Sequence, residues 1–226
     1  MRAWYYTADD ILRQAPWTTR GLSATRALGR LLACLVLFGL AYGAVMGSFR
    51  ALTGESQWLL QMAYSAMKVP LLLVSSFIIG LPSFFVLNTL FGLRRDFGRA
   101  VRALVATQAG LAIILASLAP VTMLWYASSP DYSQALLVNG AMFAVASLSA
   151  QWLLRRHYAP LVARNPRHRL LLWTWAAVYV LVAVQMAWLL RPFIGSPQND
   201  VQFLRPEAWD NAYVVVSRLV WRTLGF

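Results

Sequence analysis

The sequence is poor in cysteine, lysine, histidine and acidic residues. It has one cysteine, Cys34, one lysine, Lys68, two histidines and eight acidic residues in 226. A single cysteine excludes a disulfide scaffold. Charged residues make up 12% of the chain, about half the usual share of a soluble domain, which leaves too few to coat a water-facing surface. In their place, 59% of the residues are hydrophobic. This content excludes disorder and predicts a polytopic membrane protein.

Long apolar runs divide the chain into predicted membrane spans. A span needs about 20 mostly apolar residues, and five stretches meet that length: 28–48, 69–92, 103–127, 134–154 and 170–190. The sequence therefore predicts an all-α fold, a bundle of five transmembrane helices. It also predicts three regions: an interfacial segment at 1–27, the five-span domain at 28–190, and a turn with an amphipathic helix at 191–226.

Basic residues predict the orientation of these spans. The net charge is +12, which in a soluble protein would suggest nucleic-acid binding. In a membrane protein the tendency of basic residues to collect on the cytoplasmic side is the simpler cause, so no nucleic acid is expected. Fourteen of the 20 basic residues lie in 1–30, 94–102 and 155–169. With five spans these segments share one side, which predicts a cytoplasmic N-terminus and an external C-terminus.

Both ends of the chain are predicted to form helices at the membrane surface. Thr7, followed by Asp9 and Asp10, resembles a helix N-cap followed by acids in the first turn. Aromatic residues that suit the bilayer interface surround it: Trp4, Tyr5, Tyr6 and Trp17. The N-terminal segment does not have the pattern of a signal peptide, so we expect it to be retained.

After the fifth span, the chain is predicted to turn and then form a short outer helix. Arg191 and Pro192 end the span, and Gly195 to Pro197 form a structural turn. Beyond Pro206, polar residues fall on one stripe at helical spacing: Asp210, Asn211, Ser217, Arg218 and Arg222. This stripe predicts an amphipathic helix that is too short to span.

Several of these segments resemble a known family. Lys68-Val-Pro70 precedes an apolar run, and further along come Leu81-Pro82-Ser83, Asn88-Thr89-Leu90-Phe91-Gly92, Phe97 and the turn from Arg191 to Pro197. These residues resemble the Yip (Ypt-interacting protein) superfamily, in its bacterial branch of unassigned function. The resemblance covers roughly residues 66–226, is diffuse over the spans and is sharper at the turn. It implies five spans, a cytoplasmic N-terminus and a bacterial inner membrane. Eukaryotic members bind small GTPases in vesicle traffic, but that role is not carried over, and no catalytic residue is implied.

The sequence offers few groups for catalysis or metal binding. The only histidines, His157 and His168, together with Cys34 fall short of a transition-metal ligand set. We expect both histidines to lie on an arginine-rich surface, and we expect no metal or other cofactor. The predicted span interiors contain no acid, lysine or histidine that could activate a serine or relay a proton.

Two groups of polar residues remain as candidates for function. Asn139 and Gln185 lie deepest in the spans and could form a polar lining, although inter-helix hydrogen bonds explain them more simply. Five arginines beside the fourth and fifth spans could contact anionic lipid headgroups, although orientation alone would produce the same residues: Arg155, Arg156, Arg164, Arg167 and Arg169.

Together these patterns predict a non-enzymatic integral membrane protein. Its predicted role is an organiser or accessory subunit of a membrane complex, with the lipid bilayer and a membrane-protein partner as contacts. The alternative is a small transporter or channel with a polar lining.

Overall fold

The computed structural model describes residues 2–15, 24–196, 199–205 and 214. All regular structure in these residues is helical. The helices are α1 (Arg2–Leu12), α2 (Ala24–Gly47), α3 (Phe49–Leu52), α4 (Trp58–Leu90), α5 (Phe97–Ser128), α6 (Tyr132–Arg164) and α7 (Arg167–Leu189), and a 3₁₀ turn at Arg94–Asp96 precedes α5. In this part of the chain α2 with α3, α4, α5, α6 and α7 are long and apolar enough to cross a membrane. The predicted all-α bundle of five spans is confirmed.

The helices extend beyond the apolar runs that predicted them. α4 begins at Trp58, well before the predicted start near residue 69, so Lys68 lies inside the helix. The predicted start of the second span is therefore too late, and Lys68 belongs to the helix rather than to the connection before it. α6 continues to Arg164, so Arg155 and Arg156 lie on a helix rather than in a connection. Apolar content locates the part of a helix that suits hydrocarbon, whereas backbone hydrogen bonding continues past it into polar surroundings.

The five long helices form an incomplete ring. α2 packs against α4 and α5, α6 packs against α5, and α7 packs against α4. The order around the bundle is therefore α7, α4, α2, α5, α6. Between α6 and α7 contacts are sparse, and this leaves an opening on one side of the ring.

A stripe of glycines allows α2 and α4 to cross closely. Gly39, Gly43 and Gly47 repeat at four-residue intervals on α2 and face α4. A Cβ atom on Gly43 would lie 2.8 Å from the Cα of Ala66, and one on Gly47 would lie 2.7 Å from the Cα of Met62. Because these neighbours are backbone atoms, no larger residue fits without moving a helix. This is the small-residue spacing of tightly packed membrane helices.

Trp175 attaches α7 to α4. α4 runs as a single helix through Pro70 and Pro82, and Gly80 leaves room for the indole of Trp175, which would be 3.2 Å from an added Cβ. The indole is 2% exposed and packs edge-on against Phe84, with ring centres 5.0 Å apart. Gly80 therefore has a packing role between two spans.

The N-terminal helix packs against the bundle. α1 begins at Arg2, so Thr7 lies inside the helix and the predicted N-cap at Thr7 is wrong. Ala8 and Ile11 are buried in the main hydrophobic core, and the helix contacts α5 and α2. Pro197 and the predicted C-terminal amphipathic helix lie outside the described residues.

Candidate functional site

The bundle has two ends of different character. Consecutive long helices are joined by short connections, so alternate connections lie at the same end. One end, here the arginine end, holds the start of α2, the 91–96 connection and the short link between α6 and α7. The opposite end, here the turn end, holds α3, the start of α6 and the residues that follow α7. The turn end contains a hydrogen-bonded turn at residues 191–196 and one end of a lateral cleft.

The exit turn, residues 191–196, is held by side chains that donate to its backbone carbonyls. These side chains come from α3, α4 and α6, and we call them the carbonyl clamp. Lys68 Nζ donates to Pro192 O at 2.6 Å, Gln61 Nε2 to Phe193 O at 3.0 Å, Tyr132 OH to Ile194 O at 3.3 Å and Arg50 Nη1 to Ser196 O at 2.8 Å, and Ser65 Oγ also donates to Phe193 O. The backbone carbonyls of this turn have no helical N–H partners, and these side chains supply the hydrogen-bond donors that they need.

Gly195 is the point of closest approach between the turn and the clamp. A Cβ atom there would lie 2.7 Å from Arg50 Cδ and 2.8 Å from both Gln61 Cδ and Gln61 Oε1. Arg50 is 4% exposed and Gln61 is fully buried. Since both side chains are hydrogen-bonded to the turn, neither can move away without breaking a bond. Gly195, one of the predicted turn residues, therefore lies where there is no room for a side chain.

Lys68 is a fully buried cation at the turn end. Its ammonium group donates to Pro192 O and lies 5.1 Å from the centre of the Phe203 ring. It makes no ion pair within the described residues. A buried ammonium is costly unless it is paired or well hydrogen-bonded, and in the described structure the carbonyl of Pro192 and the ring of Phe203 are the groups that contact it.

The opening between α6 and α7 forms a cleft of about 870 Å³. Its walls are largely aliphatic and aromatic, α4 and α5 form its floor, and the exit turn closes the turn end. Its lining includes Leu72, Leu111, Leu136, Asn139, Gly140, Phe143, Ala144, Ser147, Trp175, Tyr179, Val180, Ala183, Val184, Ala187, Trp188, Arg191, Phe193 and Arg205. Leu136, Val180 and Val184 are about half exposed, at 46%, 53% and 46%. The cleft therefore opens sideways, toward the surroundings of the bundle.

Asn139 lines this cleft, and its amide is at the centre of a hydrogen-bonded cluster. Its Nδ2 donates to Tyr126 OH at 2.6 Å and to Ala135 O at 2.7 Å, and its Oδ1 accepts from Tyr42 OH at 3.3 Å. The cluster joins α2, α5 and α6, and Tyr126 in turn donates to Met46 O. The amide is thus engaged in inter-helix bonds even though the residue borders the cleft.

Gln185, the other predicted lining residue, is not among the described residues that line the cleft. Two other glutamines line it, Gln108 and Gln151. Gln108 on α5 accepts a hydrogen bond from Tyr179 OH of α7 at 2.9 Å, across the floor of the cleft. Asn139 and Gln185 are therefore not brought together as a shared lining.

The five arginines of the predicted headgroup surface lie at the arginine end, and all five are exposed. Arg156 stacks on Trp152 of its own helix, with 3.7 Å from the guanidinium carbon to the ring centre. Arg155 lies 5.3 Å from the Trp173 ring of α7. Paired arginine and tryptophan side chains suit the headgroup region.

The sequence predicted that both histidines would lie on that arginine-rich surface, and this prediction is wrong. His157 is 3% exposed and His168 is fully buried, because α6 and α7 continue as packed helices past their apolar runs. His168 Nε2 lies 3.5 Å from Asp96 Oδ2, and its ring packs edge-on against Tyr158. Within the described residues no three potential metal ligands cluster.

Comparison with protein-family models, with curated proteins and with solved structures finds no match to this chain. The resemblance to the Yip superfamily therefore stays a prediction from the residues that carry it.

Proposed function

We propose that this chain is a non-enzymatic integral membrane protein that acts by binding, as an organiser or accessory subunit of a membrane complex. The observation that carries the proposal is the lateral cleft between α6 and α7. A cavity of about 870 Å³ is within the range of ligand sites in proteins, and an opening toward the bilayer suits a membrane-embedded partner.

The walls of the cleft support binding rather than chemistry. They are mostly apolar, and the side-chain amides of Asn139 and Gln108 are hydrogen-bonded to tyrosines of neighbouring helices. Polar groups that are already paired hold helices together and contribute little to activating a substrate. The proposed location is the bacterial inner membrane, with the N-terminus in the cytoplasm, and it is supported by the distribution of basic residues between the two ends.

A small transporter or channel is the second candidate, because Asn139 borders the cleft. Transport of a polar solute would require this amide to exchange its partners during each passage. The two candidates therefore differ in whether a flux exists and whether it depends on Asn139.

Filling the cleft tests the proposal directly. Gly140 lines the cleft, and a Cβ added there meets no atom within 4 Å. The Cβ of Gly140→Trp therefore meets no atom, and we expect its indole to fill space in the cleft. Ala183→Trp fills it from the opposite wall. Gly29 is a matched control, since it is also helical and equally free of neighbours but lies outside the cleft.

The measurement is the set of proteins and lipids that remain with each variant after purification in mild detergent. We expect a stoichiometric component with the wild type and with Gly29→Trp that is lost from both Gly140→Trp and Ala183→Trp. An identical set on all four proteins would show that the cleft holds nothing.

A further inference from the structure

At the arginine end, α6 and α7 each carry an arginine where apolar sequence gives way to polar sequence. The apolar run 134–154 of α6 ends just before Arg155, and the run 170–190 of α7 begins just after Arg169. Both side chains are exposed. Because the apolar runs mark the part of each helix that suits hydrocarbon, these two arginines border it at the depth of the lipid headgroups.

Trp173 of α7 lies beside both arginines. Its indole is 59% exposed, and its ring centre is 5.3 Å from the guanidinium carbon of Arg155 on α6. Arg169 precedes Trp173 by four residues and therefore lies one turn away on the same face of α7. A guanidinium that stacks on a ring keeps the N–H donors at its edge free to bind an anion. Two guanidiniums and one indole thus come together from two helices whose other contacts are sparse.

The acids at the arginine end are engaged elsewhere. Within the described residues neither of the two arginines makes an ion pair. Asp9 and Asp10 belong to α1, which packs against α5 and α2. Asp96 Oδ1 pairs with Arg99 at 2.7 Å, and its Oδ2 is 3.5 Å from the fully buried ring of His168, on the inner side of α7. An anion at the two arginines would therefore displace no carboxylate from them.

The remaining acids belong to the other end of the chain's spans. Arg155 lies about 34 Å along α6 from Tyr132, which bonds to the exit turn. Glu207 and Asp210 lie outside the described residues, and they follow Phe203, which packs against the first two turns of α4 at the turn end. The seven residues from Phe203 to Asp210 span at most about 25 Å when fully extended. This length is shorter than the separation that they would have to cover.

The other arginines of the α6–α7 connection lie further from the hydrocarbon. α6 continues for nine residues from Arg155 to Arg164, which is about 13 Å, whereas each headgroup layer is about 5–8 Å thick. Nine residues at 100° each also place Arg164 on the opposite face of α6. Of the five arginines in the predicted headgroup surface, Arg155 and Arg169 are therefore the two placed around one shared ring.

We propose that Arg155, Arg169 and Trp173 bind the phosphate of one anionic phospholipid, in the leaflet at the arginine end, and that this lipid bridges α6 and α7. Two guanidiniums complement the charge of a phosphate, and an exposed indole suits the interface where that phosphate lies. None of the three residues lines the cleft. The assignment therefore goes beyond the proposed function and is tested separately from it.

The experiment uses the full-length protein reconstituted in vesicles of equimolar phosphatidylglycerol and phosphatidylcholine. After extraction into detergent and washing, native mass spectrometry counts the lipid that stays bound to each protein. Arg155→Gln and Arg169→Gln each remove one cation of the site, and Arg164→Gln is the matched control, an exposed arginine of the same end. Size-exclusion chromatography confirms that each variant is folded. In a second arm, lipid-depleted protein is incubated with inorganic phosphate.

We expect wild type to retain phosphatidylglycerol in preference to phosphatidylcholine. Arg155→Gln and Arg169→Gln should each lower that preference about fivefold, since one basic residue near an anionic headgroup contributes about 1 kcal/mol. Arg164→Gln should keep the preference. Gly140→Trp, which alters the cleft and not this site, should keep it as well. Inorganic phosphate should add no stoichiometric mass.

Four outcomes would overturn the assignment. Equal retention of the two lipids by wild type would mean that the site does not select charge. An equal loss in Arg164→Gln and Arg155→Gln would reduce the effect to diffuse attraction by the arginine end. Bound inorganic phosphate that Arg155→Gln removes would assign the site to a free anion. Phosphatidylglycerol lost in Gly140→Trp but kept in Arg155→Gln would place the lipid in the cleft, and the proposed function would stand.

Discussion

Gly195 offers the sharpest test of the carbonyl clamp. In Gly195→Ala the new methyl group would be 2.7 Å from Arg50 Cδ and 2.8 Å from Gln61 Cδ and Oε1, whereas carbon atoms prefer about 3.5–4.0 Å. The two side chains must retreat by close to 1 Å. Such a shift breaks the bonds from Arg50 to Ser196 O, at 2.8 Å, and from Gln61 to Phe193 O, at 3.0 Å.

The expected cost follows from these two bonds. A hydrogen bond from a charged donor contributes about 1.5–3 kcal/mol and a neutral one about 0.5–1.5 kcal/mol, so Gly195→Ala should lose about 2–4 kcal/mol of stability. By the scaling for chains of this size, Tm should fall on the order of 10 °C. Thermal unfolding in detergent, followed by size-exclusion chromatography, measures the loss. Gly98→Ala is the control, since a Cβ there meets open space.

A double-mutant cycle assigns the cost to its cause. If the methyl group acts by displacing Gln61, then Gly195→Ala combined with Gln61→Ala should cost less than the sum of the two single variants. Gly195→Ala that unfolds at the same temperature as Gly98→Ala would refute the contact between the turn and the clamp. Strict additivity with Gln61→Ala would assign the loss to Arg50 alone.

Three further predictions concern the polar cluster, the orientation and transport. Asn139→Leu should cost about 1–3 kcal/mol, because it leaves the buried hydroxyls of Tyr42 and Tyr126 without that partner. Thermal unfolding in detergent measures this cost. A reporter active only in the cytoplasm should be silent after Phe226 and active near Arg164, and activity at Phe226 would mean an even number of spans. The purified protein in liposomes should carry no pH-driven or voltage-driven ion flux, and a flux lost in Asn139→Leu would favour the channel.

The number and kind of spans could be predicted because hydrocarbon imposes a strong and local requirement. About 20 apolar residues in sequence leave few alternatives to a membrane helix, and each of the five predicted stretches lies in one candidate span or runs past its C-terminal end by no more than two residues. Helix ends were harder to predict. A helix can continue past its apolar run through charged residues, as α6 does through Arg155 and Arg156.

The carbonyl clamp was not predicted because its partners are far apart in sequence. Lys68 bonds to a residue 124 positions away, and Arg50 bonds to one 146 positions away. Lys68 was assigned to a connection because the apolar run begins just after it. A signal was nevertheless present, since Gln61, Ser65 and Lys68 follow helical spacing and form one polar stripe that leads into the run.

The cleft could not be predicted from hydropathy, because its walls have the composition of ordinary spans. The small residues on α6 and α7 would by themselves favour close approach of the two helices. Gly140 and Ala144 face the cleft from one wall, and Ala183 and Ala187 from the other. The helices nevertheless remain apart, so other contacts must hold α7 in place.

Two attachments keep α7 away from α6, and both lead to α4. Trp175 fixes the middle of α7 against Gly80 and Phe84. The exit turn fixes its end, since the carbonyls of Pro192 and Phe193 are held from α4. At the same turn, Tyr132 of α6 donates to Ile194 O. The exit turn is therefore bonded to α6 and continuous with α7, and it fixes the distance between these two walls of the cleft at this end. The clamp therefore sets the width of the cleft as well as the stability of the bundle. Gly195→Ala, which changes no residue of the lining, should reduce the amount of any component that co-purifies through the cleft along with Tm.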